Sequence, residues 1–239
     1  MDSKGQPDAN DLKRTQYFRL HRKYDRTGTF ILGIESGVNG SIGPLALTPE
    51  PSELDYLCTW LVNQKKNYGG RPKFIISPNV FVPNSVTTTK SDIHKEKSDS
   101  WPAFPETRKR LLNYIISNKI QNVVFLSGDV HCSNVAEIIF DGSQTARTLK
   151  AFSITSSAFY WPFWFADAEP SHFVHDAKRI NDTFVISAAP KITMDYKAYN
   201  FTQKDNFCQI DVDWANRRIE VQTIDQKGKL IVSSTLKLA

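Results

Sequence analysis

The residues best suited to chemistry are Asp129 and His131, which stand two positions apart in Gly128-Asp129-Val130-His131. In extended backbone, side chains with this spacing point to the same side. A carboxylate oxygen and an imidazole nitrogen on one side form a reasonable pair of metal ligands, and this mixture suits iron, manganese or zinc better than magnesium alone. The alternative is a turn at a strand end, with Asp129 capping backbone amides and His131 in solvent.

The element that would position this pair is a short apolar strand. Asn122 to Ser127 (NVVFLS) is the segment directly before Gly128. Ligands of open α/β sheets bind at the carboxyl ends of the strands, and a glycine at that point allows the chain to turn sharply. The sequence therefore predicts the candidate metal site at this end of the strand.

The surrounding pattern alternates between strands and helices. A helix with one apolar face, which includes Leu54, Leu57 and Leu61, lies between two segments with strand character, and a second helix opens at Phe104-Pro105. The predicted strands are Thr29 to Glu35, Lys73 to Ser77 and Asn122 to Ser127. This order predicts parallel strands that are buried on both faces.

The pattern changes in the second half of the chain. From Val135 onward, short strands alternate with turns, and the last three strands predict an antiparallel run over Phe207 to Asp213, Arg218 to Ile224 and Leu230 to Leu236. The fold class is therefore α/β with an antiparallel end (α+β). We expect residues 1–28 to form a polar tail or a broken connection, and residues 29–239 to form one domain.

Composition leaves several classes of function open. The chain has 239 residues, of which 40% are hydrophobic, and a net charge of +5. The charge suits anionic substrates such as phosphate esters, and equally nucleic acid or acidic lipid, although no Lys/Arg block is present. No apolar run of about 18 residues predicts a membrane span, and the first residues do not resemble a secretory signal, so the location stays unknown. The three cysteines form no CxxC pair, which excludes a zinc ribbon.

A longer pattern surrounds the candidate ligand pair. It reads Asp99-x-Trp101-x-x-Phe104-Pro105-x-x-Arg108-x-x-Leu111-Leu112, followed by Asn122 to His131, Ser133 and Ala136-Glu137. This pattern resembles the alkaline phosphatase D family (PhoD-like phosphatases), within the calcineurin-like metallophosphoesterases. The resemblance covers most of residues 50–237 and is most specific from Asp99 to Glu137.

This resemblance implies a two-sheet sandwich flanked by helices and the hydrolysis of phosphoric mono- or diesters. It also implies two or more metal ions (iron, calcium, manganese or zinc) that activate water and stabilise the developing charge. By similarity, Asp129 and His131 are metal-site residues. Asn79 follows a strand where related enzymes place another ligand, although a turn asparagine is the alternative.

Other segments that the broader fold requires are missing from their places. We find no early Asp-x-His, Gly-Asp-x-x-Asp or Gly-Asn-His/Asp segment in place, and Asp92-Ile93-His94 lies in a charged loop. A binuclear site needs about four to six ligands per ion. We therefore expect the chain to be the C-terminal part of a larger enzyme that lacks the N-terminal metal ligands. A non-catalytic remnant or binding module of the same fold is the alternative.

Aromatic residues supply the remaining candidates. Six of the seven residues from Phe159 to Phe165 are aromatic. They could line the substrate pocket, insert at a membrane interface or cover the core. We predict that Trp101, Tyr160 and Trp161 bind the substrate. A β-module that uses this stretch to bind a membrane or a carbohydrate is a third hypothesis for the function.

Overall fold

The computed structural model describes residues 29–31, 53–77, 80–84, 101, 105–128, 130, 132–157, 177–178 and 181–239. The predicted polar tail, residues 1–28, lies outside this set. In chain order, the elements of the described residues are β1 Thr29–Ile31, α1 Glu53–Tyr68, β2 Lys73–Ile76, α2 Pro105–Ser117, β3 Val123–Ser127, β4 Ser133–Asp141, α3 Gln144–Thr148, β5 Ala151–Thr155, β6 Phe184–Ala188, β7 Lys191–Thr202, β8 Asn206–Asp213, β9 Arg218–Asp225 and β10 Leu230–Lys237.

The larger sheet has seven strands in the order β1-β2-β3-β5-β4-β7-β6. Strands β1, β2, β3 and β5 run parallel to one another, which confirms the parallel strands expected from the sequence. Strands β4, β7 and β6 add an antiparallel half. Consequently the sheet is mixed, and the short strands expected after residue 135 supply the parallel strand β5 as well as strands of the antiparallel half.

The smaller sheet is the antiparallel run β10-β9-β8. It confirms the three terminal strands predicted from the sequence. The turn between β9 and β10 contains Gly228, whose φ of 76° lies in the left-handed region that glycine adopts without strain. Asp225 accepts hydrogen bonds from the amides of Lys227 and Lys229 in the same turn, so the turn residues fix how these strands pair.

The centre of the larger sheet is buried on both faces. In β3, Phe125 packs into the cluster that contains the apolar faces of α1 and α2, and its neighbour Val124 packs into a cluster shared with the smaller sheet. Successive strand residues point to opposite faces, so an uninterrupted apolar strand fits this position. The layers are therefore helices, larger sheet and smaller sheet, in agreement with the expected two-sheet fold flanked by helices.

The position of β5 was not predicted. This strand follows β4 in the chain but lies between β3 and β4 in the sheet, where Thr155 pairs with Ser127 on one side and Asn134 on the other. The short helix α3 provides the connection, and the Ser143 side chain accepts a hydrogen bond from the Ala146 amide at its start. Within the described residues, no helix is long and apolar enough to cross a membrane.

Candidate active site at the carboxyl edge of the larger sheet

Four buried polar residues line the edge of the sheet where the parallel strands end. In the order of the sheet they are Ser77 directly after β2, Ser127 in β3, Thr155 in β5 and Asn134 in β4, and we call them the polar row. Ser127 ends β3 and Thr155 ends β5, whereas Asn134 belongs to the start of the antiparallel strand β4. Ser77 joins the row because its amide donates to the Leu126 carbonyl at 2.7 Å.

The polar row replaces the apolar pattern that fills the same face deeper in the sheet. In β3, Val123 and Phe125 belong to the helix-side cluster, and the next residue on that face is Ser127. In β4, Ala136 and Ile138 belong to the same cluster and follow Asn134 on their face. The sequence therefore changes from packing residues to hydrogen-bonding residues where a ligand of this kind of sheet would bind.

Three members of the polar row have partners in the structure. Trp101 donates from Nε1 to Ser77 Oγ at 3.0 Å, and the hydroxyl oxygens of Ser127 and Thr155 are 3.4 Å apart. Asn134 is only 1% exposed, and neither its Oδ1 nor its Nδ2 has a partner in ordinary hydrogen-bond geometry. Its side chain lies beside the buried Cys132 thiol: burial raises the pKa of that thiol, and a side-chain hydrogen bond with Asn134 partly opposes the rise.

The described neighbours of the predicted ligand pair lie at this same edge. Gly128 follows β3 directly. Its φ lies outside the left-handed region, so this position does not require a glycine for a left-handed turn. Cys132 is fully buried, and burial raises the pKa of its thiol to about 12. Cys132 is therefore a packing residue of this edge in the described structure.

Most of the predicted site residues fall outside the described part of the chain: Asp129, His131 and Asn79 as metal ligands, and Tyr160 and Trp161 as substrate-binding residues. Trp101 is described and is 1% exposed. Its ring packs edge-on against Phe81 with the centroids 4.9 Å apart. Trp101 thus supports the polar row through Ser77, and its contact with substrate stays a prediction.

The other face of this edge is joined to the smaller sheet. Ser133, the first residue of β4, donates from its hydroxyl to Asn206 Oδ1 at the start of β8, and the Ser157 amide donates to Ser133 Oγ at 3.3 Å. The Cys208 amide donates to Ser156 Oγ at 2.9 Å. These bonds fix the segment after β5 against β8.

Arg108 is the clearest residue that sequence reasoning left without a structural role. It is fully buried, its Nη2 donates to the Phe81 carbonyl at 2.7 Å, and its Nη1 donates to Asn84 Oδ1 at 3.2 Å. Its guanidinium also lies 4.9 Å from the ring centroids of Phe81 and Phe184. Burial lowers the pKa of Arg108 to about 10. Its spacing of three and four from Leu111 and Leu112 was the available clue, because it places Arg108 in the apolar stripe of α2.

Asp182 and Tyr196 extend this buried network. Asn84 donates from Nδ2 to Asp182 Oδ2 at 2.8 Å, and the Tyr196 hydroxyl also donates to Asp182. The backbone amide of Asn84 donates to the Tyr196 hydroxyl at 3.2 Å. Burial raises the pKa of that hydroxyl. The network therefore joins the segment after β2 to the segment before β6 and to β7.

The described residues contain no group of three or more His, Cys, Asp or Glu side chains arranged to hold a metal ion. The candidate ligands predicted from the sequence, Asp129 and His131, lie outside these residues.

Comparison with known proteins identifies relatives. The chain matches the PhoD-like phosphatase family over residues 58–223. It is 31% identical over 90 residues to alkaline phosphatase D of Bacillus subtilis (strain 168), a region that covers 38% of this chain and 15% of that protein. A solved structure of PhoD aligns with 86% of this chain and 34% of its own, at 14% identity and a TM-score of 0.46. The chain thus spans a minor part of the length of both relatives.

Proposed function

The chain belongs to the PhoD-like phosphatase family, and on that basis we propose that it takes part in the metal-dependent hydrolysis of phosphoric esters. The observation that carries the proposal is the placement of Gly128 directly after β3, at the edge lined by the polar row. The Asp-x-His pair begins at the next residue. We propose Asp129 and His131 as metal ligands and Asn79 as a third.

The chemistry of these side chains fits a metal ion. Carboxylate, imidazole and amide groups together suit iron, calcium, manganese or zinc. A bound ion would supply a Lewis acid that activates water and stabilises the charge that develops on the phosphoryl oxygens.

The residues of this chain would bind and orient the ester. We propose Trp101, Tyr160 and Trp161 as substrate-binding residues, with Trp101 held in place by its hydrogen bond to Ser77. The net charge of +5 favours the approach of an anionic ester.

Three candidate ligands are too few for a binuclear site, which needs about four to six per ion. We propose that the remaining ligands belong to an N-terminal part of a longer protein. The family relative of which this chain matches only 15% is long enough to supply them.

The test measures metal content and turnover in the same preparations. The chain is purified, its metal is quantified by mass spectrometry, and hydrolysis of p-nitrophenyl phosphate is followed with added iron, calcium, manganese or zinc. Asp129→Ala and His131→Ala remove the proposed ligands. Asp211→Ala is the matched control, because Asp211 is an exposed aspartate of β8.

Each outcome has a definite meaning. Bound metal that is lost in Asp129→Ala and His131→Ala but kept in Asp211→Ala supports the proposed ligands. Metal and turnover that appear only when the N-terminal part of the longer protein is supplied support a divided site. If neither metal nor turnover appears in either form, the chain is a non-catalytic remnant or binding module and the proposal is wrong.

A further inference from the structure

We propose that the amino edge of the larger sheet, opposite the edge that carries the polar row, binds the headgroups of an anionic lipid bilayer. The contact is made by a cluster of exposed basic side chains that we call the basic patch: Lys65, Lys66, Arg71, Lys119 and Lys150. It involves no residue of the proposed metal site, so it is tested separately from the proposed function.

The basic patch is built from the segments that lead into the parallel strands. Lys65 and Lys66 lie in the last turn of α1, and Arg71 lies between α1 and β2. Lys119 precedes β3, and Lys150 precedes β5. Because β2, β3 and β5 run parallel to one another, the segments that precede them lie at the same edge of the sheet. Residues that form no basic run in the sequence therefore come together in the fold.

Hydrogen bonds hold these segments against one another. Lys65 donates from Nζ to the Asn118 carbonyl at 2.7 Å, which joins the end of α1 to the end of α2. The Asn122 amide donates to the Lys150 carbonyl at 2.8 Å, and Asn122 Nδ2 donates to the Gly70 carbonyl. The segments that carry the basic patch are thus fixed as one surface.

The positive charge of the basic patch is not balanced locally. Within the described part of the chain, none of its members forms an ion pair. Two carboxylates of adjoining turns, Asp141 and Asp213, are themselves paired with Arg147 and Arg218. The whole chain has 30 Lys and Arg residues against 25 Asp and Glu residues, so its net charge of +5 equals the number of cations in the patch. The excess charge of the protein is therefore concentrated at this edge.

The side chains favour a lipid surface over a nucleic acid. The patch is formed mainly by lysines, whose compact and strongly hydrated charge suits diffuse attraction, whereas arginine suits bidentate recognition of a single phosphate. Tyr68, in the same turn of α1 as Lys65, is 38% exposed, and tyrosine is favoured at the interface between membrane and water. Proteins that bind single strands stack successive bases on several aromatic rings, and the described part of the patch presents one exposed ring.

The position of the basic patch gives this contact a functional consequence. The patch and the polar row lie at opposite ends of β2, β3 and β5. A protein that binds a bilayer through its amino edge keeps its carboxyl edge turned away from the lipid. The candidate active site then stays open to a dissolved anionic ester.

The experiment measures binding of the purified chain to vesicles by sedimentation at about 0.1 M salt. The vesicles contain phosphatidylcholine alone, or with about one quarter phosphatidylserine. We expect binding to the anionic vesicles only, and weaker binding as the salt concentration rises. Each basic residue near such a surface strengthens binding about fivefold, so a patch variant that combines Lys66→Gln, Lys119→Gln and Lys150→Gln should bind about 100-fold more weakly.

A matched control separates the basic patch from the net charge. It combines Lys197→Gln, Lys204→Gln and Lys227→Gln, which remove the same charge from exposed lysines elsewhere. This control variant should stay within about fivefold of the wild-type affinity. Arginine at the three mutated patch positions keeps the charge and should restore binding. Urea unfolding of each variant shows whether it is folded.

The outcomes are distinct. A loss that is confined to the glutamine patch variant and restored by arginine supports the proposal. Absence of binding to anionic vesicles, or equal losses in the patch and control variants, overturns it. Tighter binding to a DNA oligonucleotide, single-stranded or duplex, at the same phosphate concentration also overturns it, because the patch is then a nucleic-acid surface. None of these results depends on bound metal or on turnover, so failure here leaves the proposed function intact.

Discussion

Arg108 of α2 donates a hydrogen bond from Nη2 to the Phe81 carbonyl at 2.7 Å, in the segment that follows β2. The same guanidinium also binds Asn84, whose own amide group reaches Asp182. Asn79, a candidate metal ligand, precedes Phe81 by two residues in the sequence. The buried cation therefore anchors the chain at Phe81 and Asn84.

Replacement of Arg108 by methionine should destabilise the fold. Arg108→Met keeps an apolar side chain in the stripe of α2 but leaves the Phe81 carbonyl and Asn84 without this donor. We expect the free energy of unfolding to fall by about 2–4 kcal/mol, measured by urea unfolding followed by circular dichroism. Arg110→Met is the matched control on the same helix, because Arg110 is half-exposed and pairs with Asp55 at the surface. It should cost less than about 1 kcal/mol. Equal losses in the two variants would mean that the buried network is not the cause.

The hydrogen bond between Trp101 and Ser77 should be visible as an energetic coupling. Trp101→Phe keeps an aromatic ring against Phe81 and removes Nε1, and Ser77→Ala removes the acceptor. We expect a double-mutant cycle on unfolding free energies to give a coupling of about 1 kcal/mol. The cycle of Ser77→Ala with Trp214→Phe is the control, because Trp214 packs in the cluster of the smaller sheet. It should give no coupling. A cycle with no coupling for Trp101 would contradict the proposed support of the polar row.

The three cysteines should differ in their reactivity. Burial raises the pKa of the Cys58 and Cys132 thiols to about 12, and both side chains are at most 5% exposed. Alkylation requires an accessible thiolate. We expect iodoacetamide to modify half-buried Cys208 first in the native protein, and Cys58 and Cys132 only after urea unfolding, as mapped by peptide mass spectrometry. In Cys208→Ser, the fast modification should disappear. Native labelling of Cys132 at the rate of Cys208 would exclude its burial at the site.

Lys73 should make stability depend on pH. Its Nζ donates to the carbonyls of Gly69 and Gln121, and burial, with Lys65 adding to the effect, lowers its pKa from 10.5 to about 8. Between about pH 8 and about pH 10.4 the unfolded chain binds more protons at this residue than the folded chain, so its contribution to stability rises with pH in that window. Below about pH 8 both states are protonated, and the full penalty for burying the charge remains.

The measurement compares urea unfolding of the wild type and of Lys73→Met across that window. Burial raises the pKa of the Cys58 and Cys132 thiols, so these residues make stability fall as pH rises over part of the same window. Both proteins contain these cysteines, and the difference between their two stability profiles therefore isolates the effect of Lys73. We expect the wild type to gain stability relative to Lys73→Met as pH rises. Lys66→Met, which removes an exposed charge of α1, is the reference. Parallel profiles for wild type and Lys73→Met would show that Lys73 keeps its proton in the folded chain.

Local sequence patterns were sufficient for the two long helices, for the strands β2 and β3, for the three terminal strands and for the family. The spacing of Leu54, Leu57 and Leu61 predicted α1, and the uninterrupted apolar run of β3 predicted a strand buried on both faces. Such patterns succeed because the side of a helix or strand that a residue occupies depends only on its spacing along the chain. The same reasoning predicted the antiparallel run β8-β9-β10, whose strands are neighbours in sequence and in space.

The tertiary structure alone decided which residues meet. Inserting β5 between β3 and β4 brings Thr155 between Ser127 and Asn134, and no local pattern specifies that order. The spacing of Arg108 from Leu111 and Leu112 places it in the apolar stripe of α2. Its hydrogen-bond partners, Phe81 and Asn84, come from another part of the chain. The sequence by itself therefore determined the Asp-x-His pair and the strand before it. The partners of a buried polar group depend on contacts between distant segments, so only the assembled sheet could show that Ser127 meets Thr155 and that Ser77 meets Trp101.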